Sequence, residues 1–485
     1  MAKILIIGAG VSGLSAGIYA RLNGHDATIC EKHFNAGGNL TGWQRGEYHV
    51  DNCIHWLTGT NPATQDYKTW CDLGALGSVN VYQGETLYTF EQDGLRLSLN
   101  KDLEVIKEDM LNASPLDEKE IKAFISAVKT VQGIMGIAGK NHDKKSGVAA
   151  KLTALPTLIK YNGITTGELA LKFYSPLIQN FITSLMGEEF SAMALIVVFA
   201  TFCGENGGIP EGSSVGMAKR MENRFKELGG KLYLKKEAVN IKYENGVATQ
   251  VEFSDNTTLP ADYIVIATDP EIAYHKLLKQ PMPKQLTQYY AQNTRFSSYQ
   301  CAFACDKSEL PFSADFIFEI PKKYKAKLRT KNLIIREFSH EKSFAPKGKN
   351  IIQTLTFCSE KDARDFIKLR KDKEKYEEKK GKIAQLIVEI IEDKFPTLKG
   401  KLTLLDVWTP ATYNRYTGAE TGSFMGFILP AKTIPHTLDN KVKNLNNVIL
   451  ATQWLQSPGG LPIAAKVGKA AIETINKKEK ALQRA

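Results

Sequence analysis

Residues Lys3–Gly38 read KILIIGAGVSGLSAGIYARLNGHDATICEKHFNAGG, and the rest of the chain is organised around them. The apolar run Ile4–Ile7 has the length of a buried strand and is too short for a signal-peptide core. Gly8, Gly10 and Gly13 follow in G-x-G-x-x-G spacing. The small residues Ser12, Ser15, Ala16 and Gly17 then open a helix expected to reach about Asn23, where Gly24 supplies a left-handed stop. A second strand, Ala27–Cys30, ends at Glu31. Each glycine has a separate use: a tight turn, close approach of a pyrophosphate to the backbone, and close packing of helix on strand. The helix N-terminus offers unpaired N–H groups and a partial positive charge to the same pyrophosphate. Glu31, at the end of the second strand, can accept hydrogen bonds from an adenosine ribose. A glycine-rich core turn would explain neither Glu31 nor its spacing, so the segment is a dinucleotide site.

The dinucleotide is narrowed by Gly37-Gly38, followed by Asn39. A second glycine pair soon after the ribose acid serves no purpose for NAD, but it does for a longer FAD lying across the sheet edge. With that continuation the segment resembles the flavoprotein superfamily of amine oxidases and phytoene desaturases. The stretch Trp43–Thr60 (WQRGEYHVDNCIHWLTGT) sharpens the resemblance. Its Asp51 and the run Ile54-His55-Trp56 match the retinol saturase and carotenoid isomerase branch. A histidine in an apolar run is more often a satisfied core residue than a catalyst. His55 is nevertheless the leading candidate for an acid, with contact to flavin or substrate the stronger expectation.

The bounds of the chain agree with a large soluble enzyme. A length of 485 residues exceeds one ordinary core, so two intimately joined domains are expected. The seven cysteines are odd in number and lack C-x-x-C spacing, which argues against a disulfide framework or structural zinc and for a reducing cytoplasm. No metal site is expected. The longest apolar run, Ala192–Cys203, falls short of the roughly twenty residues of a spanning helix and reads as a core helix. The net charge of +11 fits a lysine-rich surface slightly better than contact with an anionic membrane, and no nucleic-acid module is present.

Along the chain, Leu87–Gln92 and Leu95–Leu99 flank Asp93-Gly94 as a hairpin. Ser114 and Pro115 are expected to cap a helix with acids in its first turn. Residues 121–186 are helical, apolar and basic, interrupted by a polar loop at His142–Lys145. They suit a cap over a substrate cavity, a reading favoured over a face that docks on the inner membrane surface. Four strand-like runs, Tyr299–Cys305, Asp315–Ile320, Asn332–Phe338 and Asn350–Cys358, predict an antiparallel meander walling the pocket. Lys361–Lys382 reads as a solvated helix that continues into a core stripe at Ile383, Leu386, Ile387, Ile390 and Ile391. Near the end, the strand Val448–Thr452 runs into Pro458-Gly459-Gly460-Leu461-Pro462 and a helix from Ile463 to Asn476, a second phosphate-loop-like corner.

The resemblance spans essentially the whole chain and implies an α/β protein. Residues 1–75, 205–285 and 430–485 would form a Rossmann-type, glutathione-reductase-like FAD-binding domain. Residues 76–204 and 286–429 would form an inserted α+β substrate domain with an antiparallel sheet and a helical cap. It assigns FAD contacts to Gly8, Gly10, Gly13, Glu31, Lys32, Gly37, Gly38 and Asn39. A backbone contact to adenine falls near Val239, and Thr268 lies beside the pyrophosphate. Gly459, Gly460, Leu461, Pro462 and Ile463 would face the flavin ring, where a helix N-terminus stabilises the anionic reduced form. Thr409–Gly426 (TPATYNRYTGAETGSFMG) also matches the saturase and isomerase pattern, and Tyr416 is a weaker acid candidate than His55.

Two positions depart from that pattern. Asn39 stands where many relatives carry Arg, and Ala451-Thr452-Gln453-Trp454 stands where a Gly-x-Gly is common. The implied activity is hydride transfer at FAD to or from C=C or C–C bonds of an apolar isoprenoid or polyene, as saturation, isomerisation or desaturation. The alternative is an amine oxidase acting on a C–N bond. The external electron donor or acceptor is not specified by the sequence.

Overall fold

A computed structural model of the chain describes residues 1–137, 148–295, 297–433 and 437–483. The loop expected at His142–Lys145 lies outside the described residues. The opening stretch folds as strand Lys3–Ile7, helix Val11–Leu22 and strand Asp26–Cys30. These strands lie in a five-stranded parallel sheet, ordered Lys231–Tyr233, Asp26–Cys30, Lys3–Ile7, Tyr263–Ile266, Val448–Leu450. Lys3–Ile7, Tyr263–Ile266 and Val448–Leu450 are near-continuous buried apolar runs covered on both faces, whereas the edge strand Lys231–Tyr233 is exposed at both ends.

Packing of the first helix explains how chain segments far apart in sequence are gathered. Ser15 donates to the Ala465 carbonyl at 2.7 Å, tying Val11–Leu22 to the closing helix Leu461–Leu482. A Cβ at Gly468 would lie 2.4 Å from the Ser12 carbonyl oxygen, so only glycine permits this approach. A Cβ at Gly17 would lie 2.8 Å from the Phe225 ring of helix Ser213–Glu227. The closing helix starts earlier and runs further than the expected 463–476.

The second sheet has seven strands, ordered Thr403–Trp408, Ser297–Asp306, Lys349–Cys358, Asn332–Glu337, Asp315–Glu319, Thr86–Gln92, Leu95–Asn100. The expected meander is therefore only partly formed. Strands 315–319, 332–337 and 349–358 pair in succession, but Ser297–Asp306 pairs with Lys349–Cys358 instead of with its sequence neighbour. The free edge of Asp315–Glu319 takes the hairpin strand Thr86–Gln92 in parallel, with Asp315 opposite Tyr88. Both faces are buried, so local alternation reveals strands without revealing their order. Phe316 and Phe318 join Ile387, Ile390 and Ile391 on one face, whereas Ile317, Ile334 and Leu355 meet the helical cap on the other.

The cap includes helices Glu118–Met135, Val148–Asn162, Pro176–Ser184 and Ala192–Cys203. Its core is an aromatic chain in which Phe199 meets Phe124 (5.1 Å, 83°) and Phe181 (5.9 Å, 77°) edge-to-face. Ser114 precedes a short 3-10 turn and caps nothing with its side chain, contrary to expectation. The local anchor is the buried Asp117, which accepts from the backbone N–H groups of Tyr174 (2.7 Å) and Ser175 (3.0 Å). The charged run forms two helices, Glu360–Leu369 and Lys373–Lys394, because Asp372 caps the second by accepting from Lys375 N–H. No described helix is long and apolar enough to cross a membrane.

Candidate functional site

One cavity of about 1190 Å³ runs from the first glycine corner to the cap. Gly8, Gly10, Glu31, Lys32, Gly37, Gly38 and Asn39 line it, and so do Val239 and Thr268. The second corner contributes Gly459, Gly460, Leu461, Pro462 and Ile463, and His55 lies on the wall between. Gly13 does not line it. A Cβ there would sit 1.9 Å from the Gly8 carbonyl oxygen, so this glycine seats the helix on the turn.

At the first corner Gly10 caps helix Val11–Leu22 without a side-chain bond, and its φ of −67° is ordinary for any residue. A Cβ on Gly10 would meet only the Gly38 Cα, at 4.0 Å. Gly8, Gly10 and Val11 line the cavity at this turn, where the first-turn N–H groups of the helix lack intrahelical partners. Glu31 is buried and fixed, accepting from Ala9 N–H at 2.7 Å and from His33 N–H at 2.9 Å. Each oxygen retains a lone pair for a ribose hydroxyl. Lys32, Lys236, Lys276 and Arg415 line the same end, which suits a diphosphate. Burial lowers the Lys32 ammonium below its usual range, opposed by the charges of Glu31 and Glu237.

The second corner explains the departure at 451–454. The Gln453 side-chain oxygen accepts from Gly460 N–H at 2.7 Å and so braces the turn. Trp454 packs edge-to-face on Phe427, at 5.2 Å and 81°. Gly459 has φ +81°, and a Cβ there would stand 2.9 Å from Gly426. The 409–426 motif is thus pressed directly onto the turn that begins helix Leu461–Leu482. Asn39 in turn ties the first corner to that motif, donating to the Phe424 carbonyl at 3.1 Å and accepting from Asn52 at 3.0 Å.

Asp51 shapes the wall. It is fully buried and accepts from the Ser214 N–H (2.9 Å) and hydroxyl (2.6 Å) and from Cys53 N–H (3.2 Å). Ser214 Oγ accepts from Ile54 N–H at 2.9 Å, so the 52–57 loop is locked to the helix Ser213–Glu227. Burial, with the nearby Arg336 charge, holds the His55 imidazole well below its usual range, and it stays neutral at physiological pH. A neutral imidazole with so low a proton affinity is a weak acid candidate. Tyr416 is 43 % exposed at the basic end, its ring 5.0 Å from His33. That position removes it from the apolar chamber.

Sequence reasoning missed the floor of the chamber. Leu87, Met186, Met193, Val198, Ile334 and Phe357 make it apolar. Among them stands Asp315, which burial pushes up to about 7 against the opposing pull of Arg336. No signal in the run DFIFEI separates Asp315 from an ordinary solvent-facing strand residue.

The family model described as flavin containing amine oxidoreductase matches residues 11–469. Prolycopene isomerase 1 of an Oncidium hybrid cultivar is 23% identical over 463 residues, covering 87% of this chain and 74% of the relative. The 4,4'-diapolycopene oxygenase of a Methylomonas species is 21% identical over 494 residues, covering 96% of each. Among solved structures, cyclohexylamine oxidase from Brevibacterium oxydans superposes with a TM-score of 0.61 at 14% identity, covering 99% of both chains. This last likeness shows the fold. The chain belongs to the flavin-containing amine oxidoreductase family and is a flavin-dependent oxidoreductase.

Proposed function

We propose that this family member binds FAD between its two glycine corners and acts on carbon–carbon double bonds of a linear, apolar isoprenoid, in the saturating or isomerising direction. One observation carries the reading: a single cavity joins both corners to a chamber whose walls are almost wholly apolar. The carotenoid-acting names of the relatives support the same substrate class. Gly8, Gly10 and the helix N-terminus at Val11 would hold the pyrophosphate, and Glu31 the ribose. Gly459, Gly460 and the first turn of Leu461–Leu482 would face the ring. We assign residues 1–75, 205–285 and 430–485 to FAD binding and the remainder to the substrate.

Bound there, a flavin supplies two-electron chemistry. The protein contributes position and dryness. The locked 52–57 loop sets His55 and Trp56 as a rigid wall, and the cap helices exclude water from the chain being transformed. Partially buried, polarizable Met186 and Met193 conform to a long polyene without imposing hydrogen bonds.

Peripheral membrane contact belongs to the same proposal. Leu116, Leu171 and Tyr174 are 82%, 78% and 78% exposed on the cap. Asp117 joins their segments, and the exposed Lys119 and Lys172 flank them. An amine oxidase would need a charge-seeking or aromatic-caged chamber, whereas the charge of the chamber's Asp315 is opposed by Arg336. Anaerobic mixing of the flavin-loaded protein with prolycopene and with primary amines separates the two readings. Turnover of the polyene supports the first, and flavin reduction by amines alone rejects it.

A further inference from the structure

A reaction that adds hydrogen to a double bond, or moves the bond, must place a proton on carbon, and His55 is poorly suited to do so. The only carboxylate among the described residues lining the sheet–cap chamber is Asp315, since Glu31, Glu237 and Asp269 belong to the nucleotide end. It opens the interior strand Asp315–Glu319, itself paired with Tyr88 while the next residue, Phe316, pairs with Ile335, so its position is fixed. Its side chain is 23% exposed, toward the cavity.

Behind it lies Arg336, 2% exposed, with Nε 3.8 Å from Asp315 Oδ2. Arg336 donates from Nη2 to the Ile54 carbonyl at 2.6 Å, and its guanidinium stands 4.8 Å over the Phe338 ring. Its Nε and Nη1 have no hydrogen-bond partner among the described residues. A guanidinium held this way is not neutralised by a close bidentate pair, and its charge is directed at the neighbouring carboxyl group. The Glu337 N–H also donates to Asp315 Oδ1 at 3.2 Å. The other groups around Asp315 are the Glu337 carboxylate, Tyr88 across the parallel pairing, Tyr82 with Glu85 beyond, and His55, next to the Ile54 whose carbonyl Arg336 holds.

We infer that Asp315 is the catalytic acid and base of this enzyme, moving a proton between its carboxyl group and a chain carbon of the substrate. The inference rests on the polyene reading above. In the forward step the carboxyl O–H bond breaks and its electron pair stays on the carboxylate. The π pair of the double bond forms the new C–H bond, leaving the adjacent chain carbon electron-deficient and delocalised along the polyene. Isomerisation is completed when a proton returns to the carboxylate after rotation, with no net change in electrons. Saturation would draw its hydride equivalent from a reduced flavin held at the second glycine corner, and solvent would restore the proton to Asp315. Arg336 positions the carboxyl group and stabilises the carboxylate left behind. Burial keeps a useful fraction of Asp315 protonated near neutral pH, where an ordinary aspartate is fully ionised.

The test uses the flavin-loaded full chain and the variants Asp315→Asn and Asp315→Glu. Infrared pH-difference spectra from pH 5 to 9 should show a protonated-carboxyl band that titrates near neutrality in the wild type and is absent in D315N. With prolycopene in detergent micelles and reduced flavin, D315N should lose about 10²–10⁴-fold in kcat. Its KM and flavin content should hold, and D315E should recover part of the rate. Deuterium from D2O should enter the polyene in the wild type. Identical infrared spectra for wild type and D315N overturn the inference, as does a D315N rate within threefold of wild type. If the wild type is inert toward the polyene, the proposed function fails, and the infrared band alone decides the protonation of Asp315.

Discussion

Gly10→Ala and Gly13→Ala add the same methyl group to the same turn and should fail in different ways. At Gly13 the new Cβ would lie 1.9 Å from the Gly8 carbonyl oxygen and 3.2 Å from the Ala267 Cβ. Relief requires helix Val11–Leu22 to retreat from the sheet by more than ~1 Å, since carbon contacts settle near 3.5–4.0 Å. Overpacking of this kind costs about 1–3 kcal/mol. The loss should appear in guanidinium unfolding of the flavin-free protein.

At Gly10 the backbone has φ −67°, and the added Cβ meets nothing closer than 4.0 Å. The flavin-free variant should unfold within about 1 kcal/mol of wild type, because the entropy alanine removes from the unfolded chain offsets its poorer fit at a helix N-cap. The methyl group would instead stand where a pyrophosphate approaches the turn. A clash of about 1–3 kcal/mol there corresponds to a loss of roughly 5–150-fold in FAD affinity, measured by fluorescence quenching on titration. G10A binding FAD as wild type does, or destabilising the flavin-free fold as much as G13A, would refute this placement of the ligand.

Three further outcomes follow from the same geometry. His55→Gln should keep the neutral-range inflection of the pH–rate profile and lose less than about tenfold in kcat, because the imidazole is already uncharged; disappearance of the inflection would restore His55 as the proton carrier. Asp269 is 5% exposed, and burial raises it to about 7, above its unfolded value of 3.8. A raised acid contributes stability below the unfolded value and loses it as pH rises through about 7. Asp269→Asn should therefore shrink the fall in unfolding free energy between pH 5 and 8, by on the order of 2–3 kcal/mol, and an unchanged fall would contradict the assignment. Leu171→Glu with Tyr174→Glu should reduce co-sedimentation with anionic phosphatidylglycerol vesicles at low salt, and wild-type protein that fails to sediment removes the docking face altogether.

Local chemistry made the two glycine corners legible from the sequence alone. The turn, helix and acid at 8–31 follow from backbone sterics and a helix terminus, both encoded within about thirty residues. The corner at 458–463 was legible for the same reason, although nothing local says that Gly468 must lie against Ser12 to bring the corners together. The order of the larger sheet was not legible, because every strand from 297 to 358 is buried on both faces and presents no distinguishing alternation. Asp315 was missed for a related reason. Its distinction comes from Arg336 and from the Ile54 carbonyl, contributed by a separate strand and by a loop 282 residues from that arginine in sequence. His55 was conspicuous as a histidine among apolar residues, yet the same burial that made it conspicuous keeps it uncharged.

One cavity is to serve a flavin and a polyene together. The direct measurement is the absorbance of the FAD-loaded protein, reduced anaerobically and then mixed with prolycopene in micelles, with the products resolved by chromatography. The polyene should be converted to a geometric isomer or a more saturated product, at a rate that falls in D315N. Unchanged polyene, together with reduction of the oxidised flavin by a primary amine, would contradict it.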